Sequence, residues 1–236
     1  MAKGFDSAAM ALKTSLTRRM RHRGRVAFLE GLPRNAKVLD VGCGNNSPLL
    51  FKAQRPDLWY IGLDVGDYNQ TSPHDFADQY LVTEPERFAE AIQSFESQVD
   101  AVVSAHNIEH CFDPDAVLDA MLKALKPGGR IYLSFPCEES VSFPKRAGTL
   151  NFFDDPTHRS VPHWEKIVSR MREAGLSIEF LAKRYRPLPF RLMGLVLEPF
   201  SARRKVVMRG TWDLYGFESV IWGARPALQL HGTDGR

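Results

Sequence analysis

Residues 40–44 form a glycine-rich segment that could bind a small ligand. They read Asp-Val-Gly-Cys-Gly and follow an apolar run that predicts a buried strand. Gly42 and Gly44 let the backbone approach a ligand closely, and the carboxylate of Asp40 can bind an ammonium group. A dinucleotide fingerprint has a third glycine where this chain has Ser47, so the segment favours an aminoacyl cofactor over a pyrophosphate. A tight turn without a ligand is the alternative.

A second carboxylate follows the next apolar run. Asp64 ends the stretch Tyr-Ile-Gly-Leu-Asp at 60–64. The carboxyl ends of parallel strands meet at one edge of a sheet, and open α/β sheets bind ligands at that edge. A carboxylate there can accept hydrogen bonds from both ribose hydroxyls of an adenosine. Asp64 is therefore the candidate ribose-binding residue.

Strands alternate with helices along the chain, which is the pattern of a parallel sheet covered by helices on both faces. Apolar runs predict seven strands, at 37–41, 58–63, 79–82, 100–104, 130–135, 177–181 and 217–222. Helices are predicted at 48–54, 85–95, 115–125 and 162–174, and Pro-Gly-Gly at 127–129 ends the third of them. A helical segment at 7–30 carries apolar residues among arginines and is predicted to lie over a cleft or a surface.

Four motifs occur in order along these elements: VLDVGCG at 38–44, YIGLDV at 60–65, DAVVSAHNIEHCFDP at 100–114 and LKPGGRIYLSFP at 125–136. They resemble motifs of the class I S-adenosylmethionine-dependent methyltransferases, in particular the methyltransferase-11-like group. The resemblance implies an α/β, Rossmann-like fold whose seven-stranded, mostly parallel sheet has an antiparallel last strand. It also implies that S-adenosyl-L-methionine is the cofactor.

The same resemblance implies cofactor contacts at the carboxyl ends of the first four strands. The predicted cofactor-binding residues are Asp40, Gly42, Cys43, Gly44, Asp64, Val65, Glu84, Ser104, Ala105 and His106. Glu84 departs from the family pattern, which usually has an aspartate and a small residue after the third strand. It is the candidate for that contact with the adenine amine.

The segment 104–110 concentrates ionisable side chains. His106, Glu109 and His110 have the HxxEH spacing that binds zinc from one helix in a class of proteases. That interpretation requires a long helix and a distant third ligand, whereas this segment follows a buried strand and is cut by Asp113-Pro114. We therefore assign no metal. The family resemblance implies that His110 or His106 faces the acceptor, and Glu109 is assigned to substrate binding.

The chemistry expected of these histidines is proton removal from an acceptor. A histidine with a pKa near ~6.5 can take a hydroxyl proton close to neutral pH. Oxygen is the predicted acceptor atom, because residues 104–107 lack the Asn-Pro-Pro-Tyr type signature of base amino-methyltransferases. A histidine that only forms structural hydrogen bonds is the alternative.

A loop at 151–159 combines acids, a histidine and an arginine with aromatic residues. It resembles the DPTH-containing loop of methyltransferases associated with bacterial surface glycans, although it continues as Arg-Ser-Val-Pro rather than Arg-Pro. The resemblance implies a saccharide acceptor, with His158 catalytic and with Asp155 and Arg159 in substrate binding. Alternatively, Asp155 caps a turn and His158 supports the loop.

Charge is distributed unevenly, since the net charge of +3 includes +6 from residues 1–34 and +7 from residues 183–209. Basic segments attract anionic partners, although a solvated surface is the alternative. Residues 187–209 also contain an apolar patch, so both basic segments are candidates for peripheral membrane contact, with a lid or a dimer surface as alternatives for the second. Cys43, Cys111 and Cys137 have no metal or disulfide spacing and are predicted to be free thiols.

The organisation predicted for the chain is one methyltransferase domain at 1–236, with a basic helical cap at 1–34, a core at 35–186 and 210–225, and an insertion or lid at 187–209. Without a membrane-spanning apolar run or a signal sequence, we expect a cytoplasmic enzyme, peripheral to the inner face of the membrane. The predicted reaction is O-methylation of a sugar hydroxyl in a glycan or glycolipid precursor, such as a lipid-linked saccharide. A small lipophilic acceptor such as a quinone precursor and a non-catalytic S-adenosylmethionine-binding protein are the alternatives, and nucleic acid is disfavoured.

Overall fold

The computed structural model describes residues 21–227, and its centre is a seven-stranded sheet. In chain order the strands are β1 (Lys37–Val41), β2 (Trp59–Asp64), β3 (Gln79–Val82), β4 (Val99–Ala105), β5 (Leu125–Pro136), β6 (Ser177–Ala182) and β7 (Glu218–Ala224). Their order across the sheet is β3-β2-β1-β4-β5-β7-β6. The last strand, β7, runs antiparallel to β5 and β6, and the other pairs are parallel. The predicted Rossmann-like sheet with an antiparallel last strand is confirmed.

The helices are α1 (Arg25–Glu30), α2 (Ser47–Gln54), α3 (Pro73–Phe76), α4 (Phe88–Gln93), α5 (Pro114–Ala124), α6 (Trp164–Glu173), α7 (Leu188–Arg204) and α8 (Thr211–Tyr215). Single 3₁₀ turns occur at Pro85–Arg87, Ile108–His110, Glu138–Ser142 and Phe152–Asp154. Helix α1 lies within the predicted helical segment 7–30, of which residues 7–20 lie outside the described residues. Within residues 21–227, every helix is too short or too polar to cross a membrane.

Some predicted boundaries were wrong. The Pro-Gly-Gly segment 127–129 lies inside β5, because α5 ends at Ala124 and the strand begins at the next residue. The predicted helix 85–95 is a 3₁₀ turn followed by the shorter α4. Helix α7 was not predicted as a helix, and it contains Pro199, a residue that disfavours helix interiors.

Two apolar clusters form the core, one on each face of the sheet. Alternate residues of a strand point to opposite faces, so Leu39 and Val41 of β1 belong to one cluster and Val38 to the other. The first cluster includes buried side chains of α4, α5 and α6, and the second includes side chains of α1 and α2. Burial on both faces explains why the strands read as apolar runs without alternation. All three cysteines are buried free thiols, as predicted.

The strand order reverses between β1 and β4, which are neighbours in the sheet but not in sequence. In the register of β1, Asp40 lies beside Gly62 of β2 and Val103 of β4. The segments that follow these three strands therefore emerge together at one edge. Ligands of open α/β folds bind in the crevice at such a reversal.

Helix α7 is held to the body of the protein by a buried arginine. Arg146 is 5% exposed and donates hydrogen bonds to Glu198 at 2.6 and 2.8 Å and to Ser201 at 2.7 Å. On the same side, α7 and the start of α8 pack so closely that a Cβ on Gly194 would lie 2.1 Å from the carbonyl oxygen of Gly210. The insertion is thus fixed along one face, and its other face is exposed.

Candidate active site

A cleft of about 1250 Å³ follows the carboxyl edge of the sheet. Pockets for one small molecule usually measure about 300–1000 Å³, so this cleft can hold two ligands side by side. At one end it is lined by Pro85, Glu86 and Phe88, beyond β3. At the other end lie residues 155–159, and Gly42 and Gly44 line the cleft between the two ends.

The segment 40–44 forms the glycine turn between β1 and α2. Gly42 has a φ of +79°, and a Cβ at this position would lie 2.6 Å from three side-chain atoms of Asn107. The backbone N–H of Gly42 donates to the carbonyl of Leu63, 2.9 Å away. Only glycine satisfies both the backbone conformation and this close contact. Gly42 and Gly44 line the cleft, whereas Cys43 points into the core.

Asp40 lies beneath the glycine turn rather than in the cleft wall. It is buried, and its Oδ2 accepts hydrogen bonds from Ser47 at 2.6 Å and from the hydroxyl of Tyr60 at 2.7 Å. Burial raises the pKa of Asp40 against the opposing effect of the Arg25 guanidinium and these two hydrogen bonds. Ser47 and Arg25 line the cleft above it. The predicted ammonium contact of Asp40 stays a prediction.

Asp64 lines the cleft at the end of β2 and is 6% exposed. Its Oδ1 accepts a hydrogen bond of 2.7 Å from the backbone N–H of Val65. Burial raises the pKa of Asp64 to about 6, although the N–H groups of Val65 and Gly44 act in the opposite direction. The carboxylate thus faces the cleft beside the glycine turn.

The remaining predicted cofactor-binding residues divide into two groups. Val65, Ala105 and His106 line the cleft. Glu84 and Ser104 do not line it. In the structure Pro85 and Glu86 occupy the position beyond β3 that the sequence assigned to Glu84.

His106 is held between two carboxylates. Its Nδ1 lies 3.2 Å from Oε1 of Glu109, and its Nε2 lies 3.0 Å from Oε1 of Glu218. Burial lowers the pKa of His106, but the hydrogen bonds to Glu109 and Glu218 outweigh it and raise the pKa to about 10. An imidazolium with both nitrogens bound to carboxylates cannot accept a proton. In this arrangement His106 is a partly exposed cation that joins two acids, which disfavours the predicted role of catalytic base; that role stays a prediction.

His110 has a defined tautomer because of its neighbours. The hydroxyl of Thr157 donates to Oδ1 of Asp155 at 2.6 Å, so its oxygen accepts from Nδ1 of His110, 2.9 Å away. The proton is then on Nδ1 and the lone pair on Nε2. Asp155 also accepts from the backbone N–H of Thr157 at 2.9 Å, so it caps a turn as the alternative interpretation proposed. His110, Asp155 and Thr157 all line the cleft.

His158 has the same tautomer for a different reason. Its Nδ1 lies 2.6 Å from the carbonyl oxygen of Phe152, which can only accept, so Nδ1 donates and Nε2 has the lone pair. Its ring packs against the ring of His110, with centroids 4.8 Å apart. We call His110, Asp155, Thr157, His158 and Arg159 the polar wall, since all five line this end of the cleft.

Arg159 and Glu109 connect the polar wall to the segment after β4. The guanidinium of Arg159 lies 3.5 Å from the ring centroid of Phe112, and its backbone N–H donates to the carbonyl of Glu109 at 2.8 Å. The side chain of Glu109 is fully buried and does not line the cleft. Its backbone contact with Arg159 brings two segments together that are far apart in sequence.

Several cleft residues were not predicted. They are Arg21, Arg25, Asn107, Phe112, Tyr132, Ser134, Trp212 and Glu218. Arg21 donates to both Asp213 and Glu218 and so ties the N-terminal segment to β7. Glu218 begins a strand that is mostly apolar, and an acid at the start of such a strand was the sequence signal that could have indicated it. The others belong to elements without a recognisable motif.

Comparison with known proteins gives one family and several relatives. Residues 13–180 match the family model described as a methyltransferase domain. A ubiquinone biosynthesis O-methyltransferase of Xanthomonas axonopodis pv. citri is 26% identical over 201 residues, which are 75% of this chain and 73% of that protein. The enzyme of the same name from Pseudomonas fluorescens is 33% identical over 101 residues, 42% of this chain and 43% of that protein.

Solved structures show the same fold at lower identity. A SAM-dependent methyltransferase from Archaeoglobus fulgidus has a TM-score of 0.53 and 18% identity, covering 92% of this chain and 94% of that chain. Phosphoethanolamine N-methyltransferase 2 of Haemonchus contortus, in complex with S-adenosyl-L-methionine, has a TM-score of 0.55 and 15% identity, covering 85% of this chain and 51% of that chain. At these identities the likeness concerns the fold.

Proposed function

This chain belongs to the S-adenosylmethionine-dependent methyltransferases, and we propose that it methylates a hydroxyl oxygen of an acceptor bound between the glycine turn and the polar wall. The observation that carries the proposal is the pair of Nε2 lone pairs on His110 and His158, each fixed by a hydrogen bond at the other ring nitrogen. An acceptor hydroxyl needs such a group, or a cation held by such groups, in order to lose its proton.

The residues around the glycine turn fit the cofactor. Gly42 and Gly44 line the cleft with backbone that the methionine portion can approach, and the buried carboxylate of Asp64 suits the two ribose hydroxyls. Arg25 lines the cleft beside the turn and can bind the cofactor carboxylate. When bound, S-adenosylmethionine supplies an electrophilic methyl group on its sulfonium. The chain then has to align the acceptor oxygen with that methyl group and to exclude water.

The proposed acceptor is a hydroxylated aromatic ring that bears an apolar tail, of the quinone-precursor type. Phe112 and Trp212 line the cleft and offer aromatic faces on which such a ring can stack. The curated relatives named above are ubiquinone biosynthesis O-methyltransferases. Both observations support a lipophilic acceptor over a free sugar.

A sugar hydroxyl of a lipid-linked saccharide is the second candidate. The polar wall supports it, since Asp155, Thr157 and Arg159 together provide a carboxylate, a hydroxyl and a guanidinium in one short segment. Sugar rings require several such polar partners. The two candidates share an apolar carrier and differ in the group that bears the hydroxyl.

Helix α7 supports access to an acceptor with an apolar carrier. Its exposed apolar side chains repeat at helical spacing, namely Leu188, Leu192, Leu195, Val196 and Phe200, each more than half exposed. Arg203 and Arg204 are exposed at the end of the helix, and Lys205 follows. An apolar stripe beside cations suits the surface of an anionic bilayer. We propose that this face lies on such a membrane.

The membrane contact is tested by co-sedimentation of the full chain with vesicles. Binding to vesicles with one-third phosphatidylglycerol, and weaker binding to neutral phosphatidylcholine vesicles, is expected. Leu195→Asp combined with Val196→Asp should abolish it, whereas Val82→Asp, at an exposed apolar position on β3, should not. Equal sedimentation of all proteins with both vesicle types would contradict the proposal, as would a stable dimer in solution through this face.

The acceptor proposal is tested with methyl-labelled S-adenosylmethionine and two acceptors, a prenylated catechol and a lipid-linked saccharide. Label is expected in the catechol ether. His110→Ala and His158→Ala should lower turnover about 100-fold or more, with cofactor affinity nearly unchanged. His163→Ala is the matched control, because its side chain is 64% exposed and pairs with Glu138. Full turnover in both cleft variants would refute the role of the polar wall, and transfer to the saccharide alone would favour the second candidate.

A further inference from the structure

We propose that Glu109, His110 and His158 form a binding site for one divalent transition-metal cation. One ligand atom from each residue lies within 4.8 Å of those of the other two. Two imidazoles and one carboxylate are a donor set that suits zinc, manganese, iron or cobalt. The proposed O-methylation explains what such a cation would be used for, but cation binding itself does not depend on it.

Glu109 provides the strongest indication of a missing partner. Its side chain is 0% exposed, and only Oε1 has a partner, Nδ1 of His106 at 3.2 Å. Oε2 is buried and accepts no hydrogen bond from any described residue. A buried carboxylate oxygen without a donor is unfavourable, because it has lost its water without replacement. A cation between Glu109 and the two imidazoles would supply that partner.

Both histidines are prepared to act as metal ligands. Each has its lone pair on Nε2, because Nδ1 donates to an oxygen: Thr157 for His110 and the Phe152 carbonyl for His158. Metal-binding histidines in proteins nearly always donate their second nitrogen to such an oxygen, which fixes the tautomer and the ring orientation. For His110 the chain of hydrogen bonds continues to Asp155.

Backbone contacts hold the three residues together across a long sequence separation. The N–H of Arg159, next to His158, donates to the carbonyl of Glu109 at 2.8 Å. The ring of His158 packs against Phe152, with centroids 4.6 Å apart. The ligands therefore approach one another before any cation arrives, and only a small closure is required for coordination.

The site differs from the HxxEH arrangement considered for the sequence. His106 is excluded, since both of its nitrogens are occupied by carboxylates, and His158 replaces it as the third ligand. Three protein ligands leave coordination positions open for an acceptor oxygen. A cation held by these ligands would lower the pKa of the hydroxyl that it binds. The proton would then pass to solvent, the oxygen would attack the methyl group, and S-adenosylhomocysteine would leave. One O–H bond and one C–S bond break, and one C–O bond forms.

In the experiment, the chelator-stripped full chain is titrated with Co²⁺ alone. Calorimetry and visible absorption measure the binding. One cation per chain is expected, with absorption bands typical of nitrogen and oxygen ligands. Glu109→Gln and His158→Ala should each weaken binding about 100-fold or more, since a ligand matters at least as much as the outer-shell partners, whose loss costs about 10–100-fold. The matched controls His163→Ala and Glu165→Gln should bind as the parent does.

Folding and activity are followed separately. Thermal unfolding of each variant shows whether it is folded. If Glu109→Gln does not fold, His158→Ala provides the test of cation binding. Absence of heat and absorption in the parent would overturn the proposal, as would equal affinity in parent and both variants. Because neither cofactor nor acceptor is present, cation binding can succeed where methyl transfer fails. If the chelator-stripped protein keeps its turnover and binds no Co²⁺, the proposed cation site is overturned while the proposed O-methylation stands.

Discussion

The two ends of the cleft are built in different ways. The cofactor end consists of the glycine turn and Asp64, which follow neighbouring parallel strands and are aligned by backbone pairing between β1 and β2. The acceptor end joins His110 to residues 155–159 through side-chain hydrogen bonds and one backbone contact. Strand pairing fixes the first end, whereas loop contacts fix the second. We therefore expect substitutions at the two ends to affect different measurements.

The largest effect is expected for Asp64→Ala. Two hydrogen bonds from ribose hydroxyls to a charged acceptor contribute about 1.5–3 kcal/mol each, so their loss should weaken cofactor binding about 100-fold or more. Calorimetric titration with S-adenosylmethionine measures this affinity. Asp75→Ala, an exposed acid on α3, is the control and should bind normally. Unchanged affinity in the Asp64 variant would remove the ribose assignment.

The next effect is expected in the glycine turn itself. Gly42→Ala should lower the free energy of unfolding by about 2–4 kcal/mol, because alanine is strained at a φ of +79° and its Cβ would overlap Asn107. Gly44→Ala should cost less than about 1 kcal/mol, since its φ is not positive and its nearest neighbour would be 3.4 Å away. Denaturant titration gives the free energy of unfolding of both variants and of the parent protein. Equal destabilisation would show that the close contact with Asn107 is not the cause.

The difference between the two ends also explains what could be predicted from the sequence. The strands and the glycine turn depend on local apolar runs and turn residues, which a sequence displays directly. Glu218 and Trp212 enter the cleft from β7 and α8, and no local pattern specifies where those elements pack. The family resemblance implied that His106 or His110 faces the acceptor. The sequence could not show the second carboxylate beside His106, because Glu218 is 112 positions away.

Helix α7 and the polar wall illustrate the same limit. The apolar residues of α7 occur on nearly all sides of the helix, so the sequence showed a patch but no buried face, and burial against Arg146 and α8 decides its position. His110 and His158 were each candidate catalytic residues. Their proximity depends on the backbone contact between Arg159 and Glu109, which side-chain types do not encode.

A stabilising substitution is expected at the cofactor end. The pKa of Asp64 is raised to about 6 from its ordinary value of 3.8, mainly by burial. A carboxyl with a raised folded pKa destabilises the fold once the pH exceeds 3.8, and the penalty is complete above about 6. Asp64→Asn should therefore stabilise the cofactor-free protein by about 1–3 kcal/mol at pH 8.

The pH dependence separates this effect from a general change in packing. The gain in the free energy of unfolding should decrease to about half at pH 5, where the folded carboxyl is largely protonated, and to about one fifth at pH 4. Denaturant titrations at the three pH values give the comparison. A gain that stays constant with pH would show that ionisation of Asp64 is not its source. The variant is expected to bind the cofactor more weakly, as functional sites often trade stability for activity.

A modest effect on stability is expected at the acceptor end, for Asp154→Ala. Oδ2 of Asp154 accepts hydrogen bonds from the backbone N–H groups of Arg146 at 3.0 Å, Leu150 at 3.1 Å and Asn151 at 2.8 Å. Their loss should cost about 1–2 kcal/mol, because water replaces part of them at this half-buried position. The loop that carries the polar wall would then be less well ordered.

This variant separates the two ends most directly. Asp154→Ala leaves β1 and β2 untouched, so cofactor affinity should stay within about twofold, whereas turnover on the acceptor should fall about 10-fold through misplacement of His158. Asp154→Asn keeps one accepting oxygen and should recover part of the turnover. Because Asp154 touches no ligand, this rescue depends on loop order alone. If cofactor affinity falls together with turnover, the two ends form one cooperative unit. Strand pairing then does not keep the glycine turn independent of the loop at 151–159.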